Sequence, residues 1–194
     1  MKKLLIIGPN SDLAKNIINE LKYKKISIFK LSRKQINFEL KNSKEKLYRF
    51  LKRYKPSHII NCVGLFDNNY IDFNKIFNIN TKVGWNIISF YLNKKNQKVS
   101  ILLIGSKAHN KPRKNYILYA SSKTALNSIV ISAKELFKKT KIKINIINPP
   151  AMRGKMRKKF FKKEKNLFYN NNEIEPKVIA KKIIKNLKLW KKKF

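Results

Sequence analysis

Tyr119 and Lys123 stand four residues apart, and Ser106 lies thirteen residues before the tyrosine. On a helix, residues four apart share one face, one turn from each other. An ammonium beside a phenol favours the phenolate and lowers the phenol's pKa from its ordinary value of about 10. A tyrosine tuned in that way can pass a proton to or from a substrate oxygen near neutral pH. The same spacing arises easily in a chain with 47 Lys and Arg. There it describes only a half-buried tyrosine beside a solvated lysine. Tyr116 offers no rival pair, because position 120, four residues on, is Ala. The remainder of the chain decides whether a site surrounds Tyr119.

The elements that must position these residues alternate. Residues 3–7 are an apolar run ended by turn residues, which suits a strand buried on both faces. Gly8 to Ala14 then lead into Leu13, Ile17, Ile18 and Leu21 at helical spacing, with Ser11 or Asp12 able to cap the helix. A strand, a glycine turn and a helix start present backbone N–H groups and the helix dipole to an anion. Further strands are expected at 26–31, 36–39, 57–64, 99–105 and 142–147, and helices at 43–54, 77–92, 118–138 and from Pro176 through Trp190. The segments 65–74 and 110–115 have loop composition, and 153–172 is basic, then Asn-rich, as a substrate flap would be. Strands alternating with helices imply one parallel sheet covered on both faces. Ligands then bind outside the strands' carboxyl ends. Gly8, Ser32, Gly64, Ser106 and Pro149 all fall at such ends.

Composition bounds the alternatives. A chain of 194 residues with 43% hydrophobic content and 12 Phe supports one globular domain spanning 1–194. Cys62 is the single cysteine, so no disulfide framework exists and a reducing compartment, the cytoplasm, is expected. Cys62, His58 and His109 are not spaced as metal ligands, and no metal is expected. No apolar run approaches the roughly 18 residues that cross a bilayer. The formal net charge is +37. It could reflect a nucleic-acid partner. The basic residues are spread along the whole chain, however, and Lys, Asn, Ile and Phe are abundant throughout, as in a product of an AT-rich genome, so no specific nucleic acid is expected.

Taken together, these landmarks resemble the short-chain dehydrogenase/reductase family from residue 1 to about 190. Gly8 fits the first glycine of the family's Gly-x-x-x-Gly-x-Gly turn, with Asp12 and Ala14 at the other two positions. Asn61-Cys62-Val63-Gly64 resembles its Asn-Asn-Ala-Gly, and Asn80, four before Gly84, its helix asparagine. Ser106, Tyr119 and Lys123 match its catalytic serine, tyrosine and lysine, and Asn148-Pro149-Pro150 its Asn-Pro-Gly. The resemblance implies a Rossmann-type α/β/α fold with six parallel strands in the order 3-2-1-4-5-6, the family's seventh strand being absent.

It also implies hydride transfer between NADP(H) and a carbonyl or alcohol, such as a ketone or 3-oxoacyl compound. Tyr119 is then the general acid or base, Lys123 lowers its pKa, Ser106 orients the substrate oxygen and Asn80 supports a relay water. The cofactor-binding set becomes Gly8, Asn10, Ser11, Asp12 and Leu13 at the turn, and Ser32, Arg33, Asn37 and Phe38 at the adenosine end. Asn61, Cys62, Val63 and Gly64 follow along the rim, then Pro149, Pro150 and Met152, with Tyr119 and Lys123. Ser32 stands where NAD-specific folds carry an acid, and Arg33 follows it, which favours NADP over NAD. Relatives pair helices equivalent to 77–92 and 118–138, so a homodimer is expected. Two alternatives remain: a nucleotide-sugar or other phosphorylated, anionic substrate meeting the basic flap at Arg153, Lys155, Arg157, Lys158 and Lys159, or a non-catalytic, redox-sensing NADP binder.

Overall fold

The computed structural model describes residues 2–66, 72–110, 116–160 and 173–189. Among the described residues, five parallel strands form one sheet: β1 (Lys2–Ile7), β2 (Ile26–Leu31), β3 (His58–Asn61), β4 (Val99–Ile104) and β5 (Ile142–Ile147). Their order is β2-β1-β3-β4-β5, so the chain reverses its direction of growth between β1 and β3. The helices are α1 (Asp12–Leu21), α2 (Ser43–Tyr54), α3 (Phe73–Phe77), α4 (Val83–Phe90), α5 (Ile117–Leu136), α6 (Lys155–Phe160) and α7 (Pro176–Leu189).

Alternation along each strand builds two cores. In β1, Leu5 and Ile7 join Leu47 of α2, Ile87 of α4 and Leu126 of α5 on one face of the sheet. Leu4 and Ile6 join Leu13 and Ile17 of α1 and Ile179 and Ile183 of α7 on the other. Each such side chain, fully removed from water, contributes about 1.5–3 kcal/mol. α4 and α5 meet closely because residue 84 is glycine: a Cβ there would lie 2.5 Å from Leu126 Cδ1.

The expected six-strand sheet is corrected to five, because residues 36–39 do not form a strand. Ile36 N–H donates to Ser32 O and Leu40 N–H to Asn37 O, which are turn bonds. The Asn37 side chain accepts from Glu39 N–H at 3.2 Å, a local bond that competes with a ladder. Ile36 and Phe38 alternate as a strand would, but they bury as anchors of a loop against the α2 side. The helix expected at 77–92 begins earlier, at Phe73, and contains a π-helical turn at Asn78–Lys82 before α4. Of the expected flap 153–172, residues 155–160 are helical, and 161–172 lie outside the described residues. Most of the turn at 110–115 and the tail from Trp190 lie outside them as well. No helix among the described residues is long and apolar enough to cross a membrane.

Candidate active site

The five strands end at Ile7, Leu31, Asn61, Ile104 and Ile147, so the residues expected on one rim do share it. Ser106 follows β4 by one glycine. Its N–H donates to Asn148 Oδ1 at 3.1 Å, and Asn148 Nδ2 donates to Asn127 Oδ1 at 2.9 Å. Gly105 makes that link sterically possible, since a Cβ there would come within 1.9 Å of Asn148 Oδ1. Ser106 Oγ accepts from Ala108 N–H at 3.1 Å, and the Ser106 side chain stands near enough to Tyr119 to favour its phenolate form. Two of the three expected catalytic groups, thirteen positions apart in sequence, are thus brought together.

Lys123, one turn along α5, is 3% exposed and donates from Nζ to Ile104 O at 3.0 Å. Its Nζ lies 5.9 Å from the Tyr119 ring centre. The expectation that Lys123 lowers the Tyr119 pKa is not met. Burial is the largest influence and raises the phenol, while the nearby Ser106 side chain pulls it down by less. Burial also lowers Lys123 to about 8, against a smaller opposite influence of the Cys62 thiolate charge. Burial pushes the Cys62 thiol itself up to about 12, so that charge is absent at neutral pH. The tyrosine is therefore a neutral phenol there, able to donate a proton.

Asn80 is 1% exposed and lies within the π-helical turn. Its Oδ1 accepts from Leu65 N–H at 2.7 Å. Its Nδ2 donates to Leu65 O at 2.8 Å and to Ser122 Oγ at 2.9 Å. Both amide protons are committed, so the side chain ties the strand β3 exit to α5 and offers a water only its remaining oxygen lone pair. Thr81 Oγ1 donates to Ser122 O at 2.9 Å, and Ser122 Oγ also donates to Tyr119 O at 2.7 Å. A π-turn in a helix often marks a functional site; here it aims two consecutive side chains at Ser122.

The rim also holds a phosphate-binding shape. Gly8 has φ +76°, and a Cβ there would meet Val63 N and Cγ2 at 3.0 Å. The turn thereby packs directly on Cys62 and Val63. Ser11 caps α1, its Oγ accepting from Ala14 N–H at 3.2 Å. Gly64 leaves open the position that a Cβ would fill, 3.7 Å from Lys123 Nζ and 3.8 Å from Asn80 Oδ1. These features fit a dinucleotide, whose pyrophosphate needs the helix start and whose ribose hydroxyls need a donor such as Lys123.

The other expected cofactor residues divide. Asn10 is exposed on the turn, whereas Leu13 and Phe38 have their side chains in the core. Asn61 is buried and turns its Oδ1 to Val63 N–H. Ser32 is held by Gln35 Oε1 at 2.8 Å from its N–H and 3.0 Å from its Oγ. Arg33 pairs with Glu39 at 2.7 Å. Pro149 O accepts from Lys107 N–H, and Met152 pairs with Ile174 in an isolated bridge. Asp12 turns its carboxylate to Lys155 N–H at 2.6 Å.

A family model for short chain dehydrogenases matches residues 2–165. The chain belongs to the short-chain dehydrogenase family. Members of this family are oxidoreductases on an NAD(P)-binding fold. A curated relative, the bifunctional ribulose 5-phosphate reductase/CDP-ribitol pyrophosphorylase of Haemophilus influenzae, is 26% identical over 168 residues, covering 81% of this chain and 35% of the relative. The chain thus spans about a third of that protein. Among solved structures, 4-hydroxyisoleucine dehydrogenase complexed with NADH is 19% identical with a TM-score of 0.80, covering 94% of this chain and 89% of that one. The angucycline C-6 ketoreductase LanV with bound NADP is 15% identical with a TM-score of 0.76, covering 94% and 87%. At these identities the likeness is one of fold.

Sequence reasoning gave no role to Ser122, Thr81, Asn127 or Phe66. Ser122 stands beside Lys123 and is 0% exposed, and a polar residue on a buried helix face needs partners. Phe66 packs its ring 4.9 Å from Tyr119 and 5.2 Å from Tyr116, closing the site's apolar side. No spacing rule connects it to either.

Proposed function

We propose that this chain reduces a carbonyl group at the expense of NADPH, with Tyr119 as general acid. The observation that carries the reading is the grouping of Tyr119 with Ser106 and with buried Lys123, whose Nζ lies 5.9 Å from the Tyr119 ring centre, at one rim of the sheet. The cofactor, when bound, supplies the hydride. Tyr119 Oη gives its proton to the substrate oxygen, and its raised pKa keeps that proton in place at neutral pH. Ser106 Oγ hydrogen-bonds the same oxygen and stabilises charge developing on it. Lys123 would hold ribose hydroxyls with the N–H groups not directed at Ile104 O. Asn80 fixes the register of α5 against the β3 exit, which sets where Tyr119 stands.

Arg33 supports NADP over NAD: it is largely exposed, and its fork of five donors can keep Glu39 and still meet a phosphate. For the substrate we propose a phosphorylated sugar or similar anion. The likeness to a ribulose 5-phosphate reductase supports this, as do Lys155 and Lys158, which are exposed on α6 where the chain leaves the β5 rim. Trp85 on α4 and Ile131 and Leu136 on α5 are exposed apolar residues, which supports a homodimer through these helices.

The test is oxidation of NADPH and NADH with ribulose 5-phosphate, unphosphorylated ribulose and a 3-oxoacyl ester. Tyr119→Phe should reduce kcat by about 10²–10⁴-fold. Undiminished turnover in that variant removes Tyr119 from the chemistry. Equal rates with the phosphorylated and unphosphorylated sugars remove the anion preference.

A further inference from the structure

One contact across the rim has no part in the proposed proton chemistry. Asp12 opens α1, and its Oδ2 accepts from the backbone N–H of Lys155, the first residue of α6, at 2.6 Å. The two residues are 143 positions apart. Gly154 makes the approach possible: a Cβ there would lie 2.7 Å from the same Oδ2. The segment 151–158 is fastened separately on its other side. Arg153 N–H donates to Ile174 O at 3.1 Å, Ile174 N–H donates to Ala151 O at 3.0 Å, and Arg153 pairs with Glu175 at 3.6 Å. Arg157 pairs with Glu173. The segment is therefore hinged on the chain before α7 and reaches the cofactor turn through Asp12 and Gly154.

We infer that Asp12 is a positioning residue, a latch that holds the start of α6 against α1 and so sets the substrate-side wall of the site. This places Asp12 outside the set that binds the cofactor. A carboxylate at the start of α1 is favourable to the helix dipole but repels a pyrophosphate seated there. Its acceptor is directed at a peptide N–H of the segment that follows β5. Without the latch, the segment must be ordered anew each time substrate binds, and that entropy cost falls on substrate affinity.

The inference rests on the oxidoreductase reading for its effect on substrate, but the latch itself can be measured without turnover. Amide hydrogen exchange of peptides spanning 152–160 is compared in the full chain and in Asp12→Ala, Asp12→Asn and Gly154→Ala. Loss of one charge-assisted hydrogen bond should speed exchange there about tenfold in Asp12→Ala, and similarly in Gly154→Ala. Asp12→Asn, whose amide oxygen can still accept from Lys155 N–H, should recover most of the protection. The double variant Asp12→Ala, Gly154→Ala should add nothing further, because both changes break one contact. In turnover, the carbonyl KM should rise severalfold while the NADPH Kd stays within about twofold. Unchanged exchange in both Asp12→Ala and Gly154→Ala overturns the latch. An NADPH Kd that weakens in step with KM overturns it too, and makes Asp12 a cofactor ligand. Failure to turn over any carbonyl would defeat the oxidoreductase reading and leave the exchange result standing.

Discussion

Lys123 shows how burial decides chemistry at a single residue. The amino group is lowered from 10.5 to about 8 by desolvation, which outweighs the smaller opposite influence of Cys62. Between those two values the unfolded chain binds more protons than the folded one, so stability rises with pH through that window. Below it the folded state carries a penalty of about 3 kcal/mol, from roughly 1.4 kcal/mol per unit. Tyr119 acts in the opposite sense at higher pH. Its phenol is raised, so the stability it contributes is lost once the pH passes the unfolded tyrosine's value of about 10. Melting temperatures measured from pH 7.5 to 10 should therefore rise for the parent relative to Lys123→Met, which has no titration at this site. A parent–variant difference that is flat across the window shows that Lys123 keeps an ordinary pKa. The pairing of Tyr119 with Lys123 was legible from spacing alone. The direction of the tyrosine's shift was not, because it depends on Phe66 and other neighbours distant in sequence.

At the scale of elements, the strand ends matter more than the strands. β4 and β5 pair in register from Val99↔Ile142 to Ile104↔Ile147. That register brings Asn148 beside Gly105 and hands its Oδ1 to Ser106 N–H. In Gly105→Ala the new methyl would sit 1.9 Å from Asn148 Oδ1 and 3.0 Å from Ile146 Cδ1, so Asn148 must leave. The expected cost is about 1–3 kcal/mol in stability and at least tenfold in kcat, as Ser106 loses its anchor. Urea denaturation and steady-state kinetics check the two effects. A kcat equal to the parent's would show that Ser106 is positioned without Asn148. The strands themselves were legible as short apolar runs ended by turn residues. The segment 36–39 had the same appearance and failed, because Asn37 bonds locally and the four residues bury two side chains without needing a partner strand.

At the scale of the molecule, 47 basic residues face 10 acidic ones. Glu39, Glu135, Glu173 and Glu175 are in ion pairs. Two of these, Glu173 and Glu175, anchor the segment that carries α6. Self-repulsion among the remaining charges opposes the compact state. Raising monovalent salt from about 0.05 M to about 0.5 M shortens the screening length severalfold and should raise the melting temperature by about 2–5 °C. A fall would show that the few ion pairs outweigh the repulsion. The sequence by itself determined the alternation of strands and helices, the rim on which Gly8, Gly64, Ser106 and Pro149 meet, and the Tyr119–Lys123 face of α5. Those features follow from local periodicity, turn chemistry and helix geometry. Only the tertiary structure decided the five-strand count, the neutral Tyr119, the Asn80–Leu65–Ser122 tie and the reach of Asp12 to Lys155. Each of these depends on desolvation or on hydrogen bonds between segments brought together by the sheet, and no local pattern carries that information.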